Sequence, residues 1–200
     1  MVEEILLLLS PDSKANPFRT INLQWRNFTI ALLLLHQGLR RGEIASLRAD
    51  CLRHEYCPTS RTDIYWLNVR VSDLIDIRTQ KPKIKNVQSE RQIPVSNSLA
   101  KVLNHYIINW RGRCKHGFLF DSSQGRPLSI RSFNYIFERI SDSLSKESRE
   151  ELHIKIRQRN ITLHNFRHTC AVVRLHEFIE RGIEMELAEQ LAFPHKSGLF

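Results

Sequence analysis

The chain has 200 residues, of which 42% are hydrophobic, and its few glycines and prolines exclude a linker or a low-complexity polymer. The formal net charge of +9 favours a polyanionic partner, with nucleic acid ahead of an anionic membrane surface. The four cysteines indicate neither a zinc ribbon nor a disulfide framework. No apolar run suits a signal peptide or a membrane span, so we expect a soluble protein of a reduced cytoplasm.

The first half of the chain predicts two helices followed by a small sheet. The unbroken apolar stretch 25–36 is typical of a buried helix, which Gly38 ends. Residues 39–52 predict a second helix that runs into a turn. An antiparallel sheet with a basic hairpin tip is then expected from three predicted strands, at 64–71, 74–78 and 91–95.

The second half is mostly helical. Apolar residues recur at helical spacing in 98–110, 129–140, 164–179 and 184–192, and Thr162 is a candidate N-cap of the third of these helices. Residues 118–123 predict a short extended piece and a turn, and the charged, serine-rich stretch 141–151 predicts a surface loop or a frayed helix. Helices with one small sheet inserted early indicate a single α+β domain over residues 1–200.

The first cluster of candidate functional residues lies in the sequence GLRRGE at 38–43. Arg40 and Arg41 fall at a helix junction with Glu43 close behind them. An arginine held by a carboxylate would present its planar guanidinium to a phosphate. The alternative is a solvated helix end with an Arg–Glu pair, and the spacing alone favours that alternative.

The second cluster is TLHNFRHT at 162–169. On a helix, His164, Arg167 and His168 share one face, because positions i, i+3 and i+4 are neighbours. A fixed cation beside two imidazoles suits a phosphate whose negative charge grows in a transition state. Two alternatives remain: zinc held by the histidines, which lack a third ligand and the glutamate of H-E-x-x-H, and a polar helix start with one buried histidine.

A third, basic cluster surrounds the predicted hairpin. Lys81, Lys83, Lys85 and Arg91 would contact phosphates if the hairpin tip lay against DNA. An ordinary exposed loop is the alternative, and charge alone does not exclude it.

The order and spacing of these clusters resemble the catalytic domain of the tyrosine recombinases, the phage-integrase family. GLRRGEIASL resembles the family's first box, KNVQSERQIP at 85–94 its β-hairpin pattern, and HNFRHT its second box. The resemblance spans about residues 20–200 and implies a mostly helical fold with a small antiparallel sheet. It implies site-specific DNA recombination or integration in a bacterial cytoplasm or nucleoid, on double-stranded DNA and without metal or cofactor.

The resemblance also implies roles for individual residues. Arg40 and Arg167 would clamp the non-bridging oxygens of the scissile phosphate. Lys85, with Lys83 as the alternative, would protonate the leaving 5′-oxygen, and His164 would assist proton transfer at the nucleophile. The residues implied to contact DNA are Arg41, Lys83 and Arg91, and those implied to support the two boxes are Glu43 and His168.

The resemblance is incomplete towards the end of the chain. His195, in LAFPHKSGLF, is the candidate for the family's third box, although it falls later than usual and Pro194 replaces the usual glycine. The family's nucleophilic tyrosine would follow Phe200, and all four tyrosines precede His164. We therefore expect no nucleophile in this chain, and the first twenty residues are too few for the family's N-terminal DNA-clamping domain.

These departures leave other functions open. The strongest alternative is a non-catalytic DNA-binding remnant or regulator of a mobile element that kept the fold. A type IB topoisomerase shares the catalytic set, and a metal-dependent nuclease would need carboxylate clusters that the sequence does not show. Family members act as tetramers on DNA by exchanging a C-terminal element. Without that element we expect a monomer in solution.

Overall fold

A computed structural model describes residues 1–71, 73–82 and 90–192. Within these ranges the chain forms helices around one core with a small sheet at the side, which confirms the predicted α+β class. The helices are α1 (Val2–Leu9), α2 (Ile21–Gln37), α3 (Arg41–Ser46), α4 (Asn97–His105), α5 (Ile130–Asp142), α6 (Lys146–Ile156), α7 (Leu163–Glu180) and α8 (Met185–Ala192). The strands are β1 (Leu52–Cys57), β2 (Thr62–Val69) and β3 (Arg91–Val95), and a π-helical turn, Tyr106–Trp110, extends α4.

The three strands form an antiparallel sheet in the order β1–β2–β3. Leu67 at its centre faces Leu52 on one side and Ile93 on the other. Cross-strand neighbours share a face of the sheet, and Leu67, Val69, Ile93 and Val95 are all buried. This apolar face lies against α4, so the sheet closes one side of the helical core.

Helices α2, α5 and α7 build the part of the core that supports the site. The centre of α2 is fully buried at Ile30, Leu33 and Leu34, as its unbroken apolar run predicts. Phe137 of α5 meets Phe166 of α7 edge to face, with ring centroids 4.9 Å apart. None of the helices in the described ranges is both long and apolar enough to cross a membrane.

The sequence-based prediction is wrong at two places around the sheet. The helix expected over 39–52 ends at Ser46, and Leu52 instead begins β1, a strand that was not predicted. The strand expected over 74–78 is not one, because Arg78 turns into the core. Its guanidinium donates to the carbonyl oxygens of Ala45 at 2.8 Å and Leu128 at 3.0 Å, which fixes this segment by side-chain rather than ladder hydrogen bonds.

The expected loop or frayed helix over 141–151 is also wrong, because α6 begins at Lys146. Ser145 caps this helix by accepting from the Ser148 backbone N–H at 3.2 Å. Glu4 of α1 in turn accepts from the Ser145 backbone N–H at 2.7 Å, and its other oxygen accepts from the Ser148 hydroxyl. A contact more than a hundred residues away along the chain thus stabilises a helix whose own sequence indicates little order.

Candidate functional site

The site lies where the C-terminal end of α2 packs against α7. Gly38 ends α2 in the left-handed region, with φ 58°, and its carbonyl oxygen accepts a hydrogen bond from Arg167 Nη1. A Cβ on Gly38 would lie 3.2 Å from Cys170 Sγ, so both the backbone conformation and the close approach of α7 require glycine here. This crossing brings the first and second clusters together.

The carboxylate of Glu43, in the first cluster, is buried. Its side chain is only 1% exposed. Arg91 Nη1 donates to Oε1 at 2.8 Å and Arg91 Nη2 donates to Oε2 at 3.1 Å, a paired contact from β3. Oε2 also accepts from the Arg40 backbone N–H at 2.7 Å, and Arg40 Nη1 lies 3.7 Å from Oε1.

The charges of this group depend on one another. Burial alone would raise the pKa of Glu43, but hydrogen bonds from Arg91 and from the Arg40 backbone, with the charges of both residues, lower it below its usual value. Burial is the main cause that lowers the pKa of Arg167; Glu43 opposes this effect, while Arg40 and Arg91 add to it. One carboxylate therefore interacts with three guanidinium groups, and the group as a whole has excess positive charge.

A cleft of about 560 Å³, here called the arginine cleft, opens beside this group between α3, α5 and α7. Arg40, Arg41, His164 and Arg167 line it. The side chain of Arg40 is about one-third exposed, and His164 is exposed. The cleft therefore combines positive charge with an accessible imidazole, which suits a phosphate group.

A second cleft of about 490 Å³, the hairpin cleft, lies on the other side of α7. Arg91 and Pro94 of β3 form one wall, and His164, Arg167 and His168 of α7 form the other. Because His164 and Arg167 line both clefts, the first turns of α7 form the ridge between them.

Reciprocal capping fixes the start of that ridge. The Thr162 backbone N–H donates to Asn165 Oδ1 at 2.8 Å, while the Asn165 backbone N–H donates to Thr162 Oγ1 at 3.4 Å. This arrangement confirms the predicted N-cap, with asparagine in the place that glutamate or glutamine usually takes. The capping fixes the backbone of the first turn of α7, from which the side chains of His164 and Arg167 project.

The structure brings most of the predicted site residues together around the two clefts. Its arrangement adds one contact that was not foreseen, because the guanidinium of Arg91 binds Glu43; a contact of Arg91 with DNA remains a prediction. Asn134 and Glu138 of α5 also line the arginine cleft and were not predicted. Their spacing of i, i+4 on the polar side of α5 was the available signal. Three predicted site residues lie outside the described residues: Lys83, Lys85 and His195.

The described residues also bear on the nucleophile and the metal alternative. No tyrosine of the described part lines either cleft. Tyr106 is buried and donates to Asp121 Oδ1 at 3.2 Å; burial, with the Asp121 charge, raises its pKa, which makes a phenolate at this position unfavourable. Over the same described ranges, no three histidine, cysteine, aspartate or glutamate side chains are grouped to hold a metal ion.

Comparison with known proteins agrees with this fold. The model of the phage integrase family matches residues 11–196. The chain is similar to XerA recombinase (16% identity, TM-score 0.59, 98% of this chain and 54% of that one). It is also similar to XerH site-specific recombinase bound to a palindromic difH substrate (17%, 0.61, 98% and 45%) and to the Tn1549 transposon integrase in complex with transposon right end DNA (19%, 0.61, 98% and 56%). The chain thus spans about half the length of these proteins, and no curated protein matches it by sequence.

Replacement of Glu43 by glutamine tests whether this carboxylate holds the group together. We expect Glu43→Gln to lower the free energy of unfolding at pH 7 by roughly 2 kcal/mol, because the partly buried guanidinium groups of Arg91 and Arg40 lose their charged partner. The folded-state pKa of Glu43 is lowered. Its stabilisation is therefore complete above the unfolded pKa of about 4.3 and is lost as the pH falls through the lower folded value. Urea unfolding of both proteins between pH 7 and pH 3 measures this narrowing difference.

The matched control is Glu138→Gln, which removes an exposed carboxylate from the same cleft. We expect it to change stability by less than about 0.5 kcal/mol at any of these pH values. Equal effects of the two substitutions, or a Glu43 effect that does not change with pH, would contradict the proposed charge group.

Proposed function

Because the chain belongs to the phage integrase family, whose model matches residues 11–196, we propose that it binds double-stranded DNA and holds one phosphodiester in the arginine cleft for site-specific strand exchange. The observation that carries this proposal is that Arg40 lines the same cleft as His164 and Arg167, although Arg40 is distant from both of them along the chain. The reaction class is transesterification at phosphorus, which in the integrase family passes through a 3′-phosphotyrosine intermediate.

The cleft fits the charge changes of that reaction. Attack on a phosphodiester places extra negative charge on the non-bridging oxygens, which Arg40 and Arg167 are placed to stabilise. His164 accepts the proton of the attacking hydroxyl, which in the integrase family belongs to a tyrosine; none of this chain's four tyrosines lies in that position. As the new bond to phosphorus forms, the bond to the 5′-oxygen breaks, and Lys85, or Lys83 in its place, gives that oxygen a proton. His195 completes the set as the third-box residue.

The remaining predicted residues act around this centre. The Glu43 carboxylate positions Arg40 by accepting from the Arg40 backbone N–H, and it also binds the guanidinium of Arg91. His168, one turn after His164 on α7, supports the second box, and the exposed Arg41 contacts the DNA backbone. Residues 1–200 form a single catalytic domain in this proposal, and the domain acts in the bacterial cytoplasm or nucleoid.

Double-stranded DNA as the partner has support beyond the cleft. The solved XerH and Tn1549 integrase structures are complexes with DNA. The net charge of +9 favours the same partner. On DNA we propose assembly into a tetramer, as in the integrase family.

A second candidate function is a non-catalytic DNA-binding protein that occupies a recombination site or regulates a mobile element. The observation that favours it is that no tyrosine of the described residues lines the arginine cleft or the hairpin cleft. The two candidates differ in whether the cleft activates a phosphodiester or only binds DNA.

DNA affinity tests the role of Arg167. We expect Arg167→Ala to weaken duplex binding modestly and to lower the slope of log affinity against log salt by about one, because one phosphate contact is lost. Fluorescence anisotropy over a salt series measures both quantities. The control Arg181→Ala removes an exposed arginine from the far end of α7 and should change neither. Identical slopes for Arg167→Ala and the parent chain would exclude the proposed phosphate contact.

A chemical-rescue assay separates the two candidate functions. The full chain is mixed with nicked duplexes from the DNA that flanks its gene. One reaction contains no added nucleophile, and the other contains hydroperoxide as a small nucleophile. Without hydroperoxide, we expect no protease-sensitive covalent band on a denaturing gel, because none of the four tyrosines lines either cleft. With hydroperoxide, we expect strand cleavage that Arg40→Ala and Arg167→Ala abolish.

Each outcome of this assay has one meaning. Rescued, arginine-dependent cleavage supports the recombinase function. Salt-sensitive binding without rescued cleavage supports the DNA-binding function. A covalent band from the chain alone would show that one of its own side chains is a nucleophile.

A further inference from the structure

The β1 edge of the sheet is open for pairing. Among the described strands, β1 pairs with β2 alone, so its other side has no strand neighbour. The opposite edge strand, β3, contains Pro94, which has no backbone N–H to donate. β1 has no proline, and its four central residues are exposed. An open edge without such protection is a template for strand pairing.

The ladder with β2 shows which backbone groups point outward. The Asn68 N–H donates to the Cys51 carbonyl at 2.8 Å, so Cys51 directs its backbone towards β2. Hydrogen-bonded and non-hydrogen-bonded positions alternate along an antiparallel ladder. The residues of β1 that direct their backbone N–H and C=O away from β2 are therefore Leu52, His54 and Tyr56.

The side chains of this strand are self-complementary. Read in both directions from His54, the strand has Arg53 on one side and Glu55 on the other, then Leu52 and Tyr56. An antiparallel second copy centred on His54 would set Arg53 opposite the partner subunit's Glu55 twice, by symmetry. The outward-pointing backbone groups fall at the positions that exchange hydrogen bonds in this register.

We propose that β1 pairs with β1 of a second copy of this chain, antiparallel and centred on His54, so that one sheet runs through both subunits. Arg53 and Glu55 lie on the exposed face of the sheet, and the Arg53 side chain is 48% exposed. Arg53 Nη2 lies 3.3 Å from Asp50 Oδ2, but the Asp50 carboxylate also binds Arg48 and Arg70. The local excess of positive charge leaves Arg53 attractive to a second carboxylate.

This dimer is a weak one. A single short strand pair buries much less surface than a stable protein complex, so association is expected only towards high micromolar concentrations. The sequence led us to expect a monomer, because that expectation took into account only the C-terminal element that family members exchange. A dimer through β1 replaces this expectation. The proposal depends on no residue of the arginine cleft and holds whether or not the proposed DNA chemistry is correct.

Two opposite charge reversals and their mixture test the pairing. Sedimentation velocity over a micromolar concentration series should show the parent chain rise from 23.5 kDa towards twice that mass. We expect Arg53→Glu alone and Glu55→Arg alone to weaken association at least about tenfold, because like charges then face each other twice. Mixed together, the two variants should associate again, because the strand with two carboxylates then pairs with the strand that has two guanidinium groups.

The design separates pairing from general charge effects. One substitution lowers the net charge and the other raises it, yet both are expected to weaken association. The double variant R53E/E55R, which restores both attractions with the charges exchanged, should self-associate like the parent. A parent chain that stays monomeric at high concentration would overturn the proposal, as would single variants that associate like the parent or a mixture that stays monomeric.

Discussion

The structure depends most on the burial of the Glu43 carboxylate among arginines. A carboxylate so fully enclosed stays ionised only because cations and N–H groups surround it, and each of them comes from a different element. Arg91 connects it to β3, the backbone of Arg40 connects it to the start of α3, and Arg167 of α7 interacts with it electrostatically. The sheet and the helical layer are thus held in one relative position, and the positive charge in excess of this carboxylate lies at the arginine cleft.

The elements that the sequence predicted best are those whose order is local. Helix α2 has an unbroken apolar run that ends at Gly38, and α7 has apolar residues at helical spacing that begin after Thr162, so neighbouring residues define both helices. The failures have distant causes. β1 is exposed and charged, and only its pairing with β2 makes it a strand. The segment 74–78 has a strand-like sequence, but buried bonds of Arg78 override that preference. α6 is capped by Ser145, whose backbone N–H donates to Glu4 of the distant α1.

The site shows the same division. The motif order was enough to predict that Arg40 and Arg167 belong together, and their shared cleft agrees with that expectation. It was not enough to predict that Arg91 binds Glu43, because a hairpin arginine resembles any other basic residue of a DNA-binding surface. Asn134 was missed because its helix was recognised from its apolar stripe, which says nothing of what the polar side faces. The proposed roles of the hairpin lysines and of His195 still rest on the family resemblance.

The most direct measurement is a titration of the arginine side-chain NMR signals with duplex DNA. In the ¹⁵N-arginine-labelled chain, single Arg→Lys variants assign the Nε–H signals. If the arginine cleft holds a DNA phosphate, the signals of Arg40 and Arg167 should shift on DNA addition and return with added salt. Those of Arg26 and Arg78, which are buried and bonded to backbone carbonyls, should stay in place. Unchanged Arg40 and Arg167 signals at saturating DNA would contradict the account.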